Sequence, residues 1–175
     1  MVFKRIIATI LVTIMGLVMM APTVSANTEY ELPDEDTYFK TYMSYKAITN
    51  TASKQYELQQ ICWTDCDGLR RQTDDYVVAM GTYYGEVGDR YKVTMTSGNE
   101  FTVIIGDIKA DEHTDANNMY TAIYNEHGKF ISANVLEFIV DTSLLPKKVK
   151  LLGTVSAIDF FKGNIEKLEK IENIK

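Results

Sequence analysis

The stretch from Tyr91 to Ile105 restricts the fold more than any other part of the chain. Tyr91-Lys92-Val93-Thr94-Met95-Thr96 alternates apolar and polar side chains, the period of two that turns one face of a strand to a core and the other to water. Ser97-Gly98-Asn99 then supplies turn residues, and Phe101-Thr102-Val103-Ile104-Ile105 follows as a second β-rich run. This pattern predicts an antiparallel hairpin with Val93, Met95, Val103 and Ile105 facing inward. A lone hairpin has too little core to stand in water, so other strands must pack on it.

Candidates are present on both sides. Tyr56-Glu57-Leu58-Gln59-Gln60-Ile61 alternates and reads as a strand, and Tyr76-Val77-Val78-Ala79-Met80 is a short apolar run ending at Gly81. Asn125-Glu126-His127-Gly128 reads as a turn, Val135–Val140 as a buried strand, and Val149–Val155 as a further strand. Tyr38, Phe39, Tyr42, Met43, Lys46 and Ala47 recur at near-helical spacing and predict a short packed helix or turn. In the tail Gly163–Lys175 the spacing by three of Ile165, Leu168, Ile171 and Ile174 suits a frayed helix, and its position after a β-rich run suits a closing strand. About six or seven short strands without a long amphipathic helix define a mainly all-β chain, a small closed barrel or sandwich.

Residues 1–26 read as a signal peptide: Lys4 and Arg5 precede the apolar Ile6–Met20, and Val24-Ser25-Ala26 gives a small-x-small cleavage site. The apolar segment is shorter than the roughly 20 residues of a spanning helix, so an exported, unanchored protein is expected. Residues 27–54 read as a leader and N-terminal segment, and residues 55–175 as the barrel domain. Loss of Lys4 and Arg5 would take the formal net charge from −6 to −8, an acidic balance that argues against nucleic acid or anionic lipid as partner but leaves a neutral glycan open. Cys62 and Cys66 are the only cysteines, and in an exported chain a disulfide is expected. On a straight strand their Cα atoms would lie roughly 13 Å apart, so bonding requires a turn at Trp63-Thr64-Asp65.

Carboxylates mark the candidate site. Glu137 interrupts an apolar β run, and Phe101–Ile105 leads into Gly106-Asp107 and a loop holding Asp111, Glu112, His113 and Asp115. A carboxylate among apolar neighbours is costly to bury unless it is hydrogen-bonded or has a task. The bland alternative is that Asp107 caps the loop and Glu137 satisfies a backbone amide. Asp107, Asp111, His113 and Asp115 are ligand types that suit Zn²⁺ or Ca²⁺, but their spacing fits neither an EF-hand nor a His-Glu-x-x-His helix, so no metal or other cofactor is expected. Trp63, Tyr83, Tyr84, Tyr120 and Tyr124 could stack on a sugar face or simply pack.

Gly81-Thr82-Tyr83-Tyr84, Gly88, the hairpin, Val103-Ile104-Ile105-Gly106-Asp107 and Leu136-Glu137-Phe138-Ile139-Val140-Asp141 come in an order that resembles the six-stranded double-psi β-barrel of rare lipoprotein A-like proteins, expansins and bacterial three-aspartate domains. The likeness covers roughly Ala79 to Asp141. Asp107-Ile108-Lys109 departs from the Asp-Thr-Gly of the three-aspartate pattern, and Glu137 replaces an Asp. The resemblance implies a cell-wall protein whose partner is peptidoglycan or another wall glycan, with lytic transglycosylase-like cleavage and Asp107, Glu137 and Asp141 as catalytic carboxylates. Lys109, His113 and Asp115 in the polar loop and the rings of Tyr83, Tyr84 and Trp63 are the candidate substrate contacts. A non-catalytic wall-binding or protein-interaction module is the alternative.

Overall fold

A computed structural model describes residues 28–171; the signal peptide expected over residues 1–26 lies outside them. The strands are β1 (Thr28–Glu29), β2 (Tyr42–Ser44), β3 (Trp63–Thr64), β4 (Arg70–Gln72), β5 (Asp75–Met80), β6 (Arg90–Met95), β7 (Glu100–Ile108), β8 (Thr121–Tyr124), β9 (Phe130–Asn134), β10 (Glu137–Val140) and β11 (Ile165–Ile171), with helices α1 (Lys54–Gln60) and α2 (Lys147–Leu152). The chain is mainly β, as its pattern predicts. A nine-stranded sheet runs in the order β1-β11-β6-β7-β5-β10-β2, with β4 also on β5 and β3 on β4, while β8 and β9 form a separate hairpin. The path is open at β1 and β2, so the described residues form no closed six-stranded barrel. Of the additional strands, β1 to β4 are pieces of two or three residues with no alternation to announce them, and β8 and β9 have four and five.

The hairpin over 91–105 forms as expected: β6 and β7 pair antiparallel, and Val93, Met95, Val103 and Ile105 are fully buried. They enter a core that continues through Val78, Tyr91, Leu136, Phe138 and Leu168. Tyr76, Phe101, Phe138 and Phe161 pack there ring edge to ring face, the Phe138 and Phe161 centroids 4.9 Å apart. The opposite face of the sheet carries a smaller cluster of Val77, Ile104 and Ile139, covered by Tyr45, Ile48 and Leu58.

Several expectations are corrected. Residues 56–61 belong to α1 rather than a strand: Ser53 caps the helix by accepting from the Tyr56 N–H, and Lys54, Gln55, Glu57, Leu58, Gln59 and Gln60 are straight-chain helix formers. Residues 147–152 are helical too, since Pro146 leads in and Gly153 ends the helix at φ 66°. The short helix or turn expected near Tyr38–Ala47 is found only as the 3-10 turn over Tyr45–Ala47, and Tyr42–Ser44 before it is β2, parallel to β10. Within the stretch read as a leader and N-terminal segment, the described residues from 28 onward pack on the sheet. Thr28–Glu29 pairs with β11, and the Lys40 amine is fully buried, donating to the carbonyls of Tyr38 (3.1 Å) and Gly163 (2.8 Å).

As far as residue 171 the tail is β11, antiparallel to β6, and Ile174 lies outside the described residues. A register shift between Ile165 and Lys167 inserts one residue, so Ile165 and Leu168 both face the core. The spacing by three of Ile165 and Leu168 is thus the mark of a bulge, while Leu168 to Ile171 runs in regular register.

A second bulge lies in the parallel pair of β5 and β7, where Val78 opposes Ile105 but Ala79 opposes Asp107, leaving Gly106 as the extra residue. A Cβ on Gly106 would come 2.2 Å from Cγ1 of the buried Val77 and 3.3 Å from Cδ1 of Ile139. Gly106→Ala is therefore expected to destabilise the fold by about 2 kcal/mol through overpacking, read as a lower urea midpoint at unchanged slope.

Candidate functional site

Strict alternation would send Asp107 into the main core behind Val103 and Ile105. The Gly106 bulge shifts the phase by one residue, so Asp107 takes the face of Ala79, and Ile108 packs against the core instead. On the other side of β5, Glu137 of β10 also opposes Ala79. Asp107 and Glu137 thus flank one small residue on the same face, their backbones about two strand spacings apart, roughly 10 Å.

Asp107 forms part of the wall of a pocket of about 240 Å³, together with Asn50, Ser53 and Gln55. Its carboxyl accepts from the Ile108 N–H (2.9 Å) and from the Gln55 amide. Partial burial pushes it above the usual carboxylate range, those hydrogen bonds oppose the shift, and the charge of Glu137 adds to it. Lys109 lies next along the chain but is buried, its amine donating to the Asn134 carbonyl. Burial lowers that amine to about 8 against the opposing pull of Glu137.

The third carboxylate stands apart. Asp141 follows β10 and accepts from the Ser143 hydroxyl (2.6 Å) and N–H (3.0 Å), which hold it below the ordinary range with help from the charges of Lys46 and Arg70. Residues 137 and 141 do not share one strand face, because β10 ends at Val140.

The proposed substrate contacts are scattered. Asp115 organises its own loop, accepting from the N–H groups of Asn117 (3.1 Å), Met119 (2.6 Å) and Tyr120 (3.1 Å). Burial works against its ionised form, yet these bonds hold its carboxyl below the usual range. His113 is exposed beside Glu112. Tyr84 is wholly inside the core, with Tyr83 edge-on to it at the surface. Trp63 is exposed, its indole N–H donating to the Thr73 carbonyl (3.2 Å).

Cys62 and Cys66 are both free thiols. The turn that a disulfide needs is absent because Trp63–Thr64 runs extended as β3 against Arg70–Arg71, and the Cys62 thiol donates to the Leu58 carbonyl. No cluster of three or more potential metal ligands exists among the described residues, and no described helix is long and apolar enough to cross a membrane.

Reading residues 56–61 as a strand hides Gln59, and Gln55, four before it on α1, is not singled out either. The polar Thr51-Ala52-Ser53 before a run of helix formers is the signal that places them on one helix face. No protein-family model matches the chain, and no curated protein or solved structure matches it significantly.

A carboxyl whose pKa is raised on folding holds its proton better in the native state. The stability it contributes is complete below its unfolded value and is lost as pH rises through the folded one. Asn at position 107 keeps an oxygen to accept from Ile108 but never ionises. Relative to wild type, Asp107→Asn should therefore gain stability as pH rises from 4 to 8, the difference arising across the raised carboxyl range. Paired urea titrations across that range give the measurement.

Proposed function

We propose that this is an exported protein acting on cell-wall glycan, with Asp107 as a general acid and base in lytic cleavage. The observation that carries the reading is the placement of a half-buried Asp107, its carboxyl pushed above the usual range by burial, on an accessible pocket, with Glu137 across a single alanine. The two parallel strand pairs, β5 with β7 and β10 with β2, are compatible with a double-psi arrangement and support the likeness drawn from residues 79–141.

In this reading protonated Asp107 gives its proton to the glycosidic oxygen as the bond from the muramyl C1 breaks. The resulting carboxylate then takes the proton of the C6 hydroxyl as that oxygen closes on C1, forming a 1,6-anhydro ring and restoring the acid. Glu137 favours the protonated form of its neighbour. Asp141 has no part in the step, being committed to Ser143 at another place.

Incubation with purified peptidoglycan should release 1,6-anhydro muropeptides detectable by mass spectrometry. Asp107→Asn should lower the rate by at least about 100-fold while leaving the circular dichroism spectrum intact. If the wild-type protein sediments with peptidoglycan but releases no anhydro product, the catalytic reading gives way to a wall-binding module.

A further inference from the structure

Beside the Asp107 pocket, and sharing the residues Ile48 and Thr49 with it, lies a second cavity of about 570 Å³ between α1 and the Tyr45–Thr51 segment. Its lining includes Lys46 and Arg70 and no acidic side chain, although the chain as a whole carries a net charge of −6.

Arg70 is 8 % exposed, and its hydrogen bonds go only to neutral oxygens: Gln59 Oε1 (3.3 Å), the Gln59 carbonyl (2.7 Å) and Thr64 Oγ1 (3.0 Å). No carboxylate among the described residues comes within 4.0 Å of its guanidinium; Asp141 feels its charge from farther off while bonded to Ser143. Gln59 is 5 % exposed, and its Nε2 is a buried donor without a partner. A buried cation without a counter-ion and a buried amide without an acceptor are each costly, and they lie in one cavity wall. A ligand oxygen carrying negative charge would compensate Arg70 directly, and would take the shielded Gln59 Nε2, which packs near Gly106, once that amide turns toward the cavity.

We propose that this cavity is an anion subsite, in which Arg70 and the Gln59 amide take a carboxylate or phosphate oxygen and Lys46 guards the rim. Guanidinium and amide donors in a confined wall suit an oxyanion better than a neutral sugar hydroxyl. Identifying that anion with a carboxylate of the wall polymer rests on the function proposed above; the subsite does not. Its place next to Asp107 would fix an anionic substituent a short distance from the bond to be cleaved.

Isothermal titration calorimetry at low salt with N-acetylmuramic acid, glycerol 1-phosphate and N-acetylglucosamine tests the proposal. At least one anion should bind while the neutral sugar does not, and added salt should weaken the binding. Stronger binding of N-acetylmuramic acid supports the subsite with a carboxylate source, and stronger binding of glycerol 1-phosphate supports it with a phosphate source. Gln59→Glu places a carboxylate beside Arg70 in nearly the same volume; it should weaken anion binding at least about tenfold and raise the melting temperature. Lys46→Ala, at an exposed position, should weaken binding about threefold without unfolding. Anion binding retained in Asp107→Asn shows that the subsite does not depend on that carboxyl, and anion binding by a wild-type protein that releases no anhydro product leaves the subsite standing while the catalytic reading fails. Equal affinity for all three probes, or undiminished anion binding in Gln59→Glu, overturns the subsite.

Discussion

One missing side chain governs the candidate site. At Gly106 the backbone of β7 passes so close to Val77 and Ile139 that no Cβ fits, and the strand takes in one residue more than its parallel partner. A strand addresses alternate residues to opposite faces, so one extra residue inverts everything beyond it. Before the bulge, odd-numbered residues Val103 and Ile105 enter the core; after it, Ile108 packs there and Asp107 turns outward to meet Glu137 across Ala79. The like-charge neighbour, the pocket beside α1 and the shifted titration of Asp107 all depend on that inversion.

The same device explains what could be read in the sequence. Where the period of two is unbroken, as in Tyr91–Thr96 and Phe101–Ile105, strands and burial were legible residue by residue. Where a bulge intervenes, core positions fall three apart, as at Ile105 and Ile108 or Ile165 and Leu168, and the pattern imitates a helix. The converse confusion hid α1 and α2. Tyr56–Ile61 alternates but holds no β-branched residue before Ile61, and its capping Ser53 outweighs the alternation. Val149–Val155 begins and ends β-branched, yet Gly153 cuts the run and Lys147–Leu152 forms the last helix. The pair Asp107 and Glu137 was recognisable as two carboxylates at apolar strands; the divergence of Asp141 was not, because it depends on where β10 stops and on Ser143 behind it.

Three buried charges show different ways of meeting the cost of leaving water. Asp75 is fully buried and bound by Arg90 through two contacts of 2.5 and 3.1 Å, an ion pair between the starts of β5 and β6. Lys40 has no such partner and is held by backbone carbonyls; desolvation lowers its amine to about 7, countered in part by Asp36. Arg70 has neutral oxygens and the ring of Tyr45, 4.7 Å from its guanidinium carbon. The first is neutralised within the fold, the second can shed its proton, and the third can do neither at ordinary pH. That difference sets Arg70 apart as the one of the three whose charge is met only by neutral groups.

The strands at the two ends of the main path of the sheet, β1 and β2, both come from the N-terminal stretch 28–44, with Lys40 between them in the chain. One strap therefore runs from one sheet margin to the other. Its strands, two and three residues long, leave little open ladder for another chain to extend. Beneath the strap on one margin lies β11, seven residues long. Peeled away, the strap would bare a full-length β edge, so its hold separates a well-behaved fold from one that templates its own aggregation.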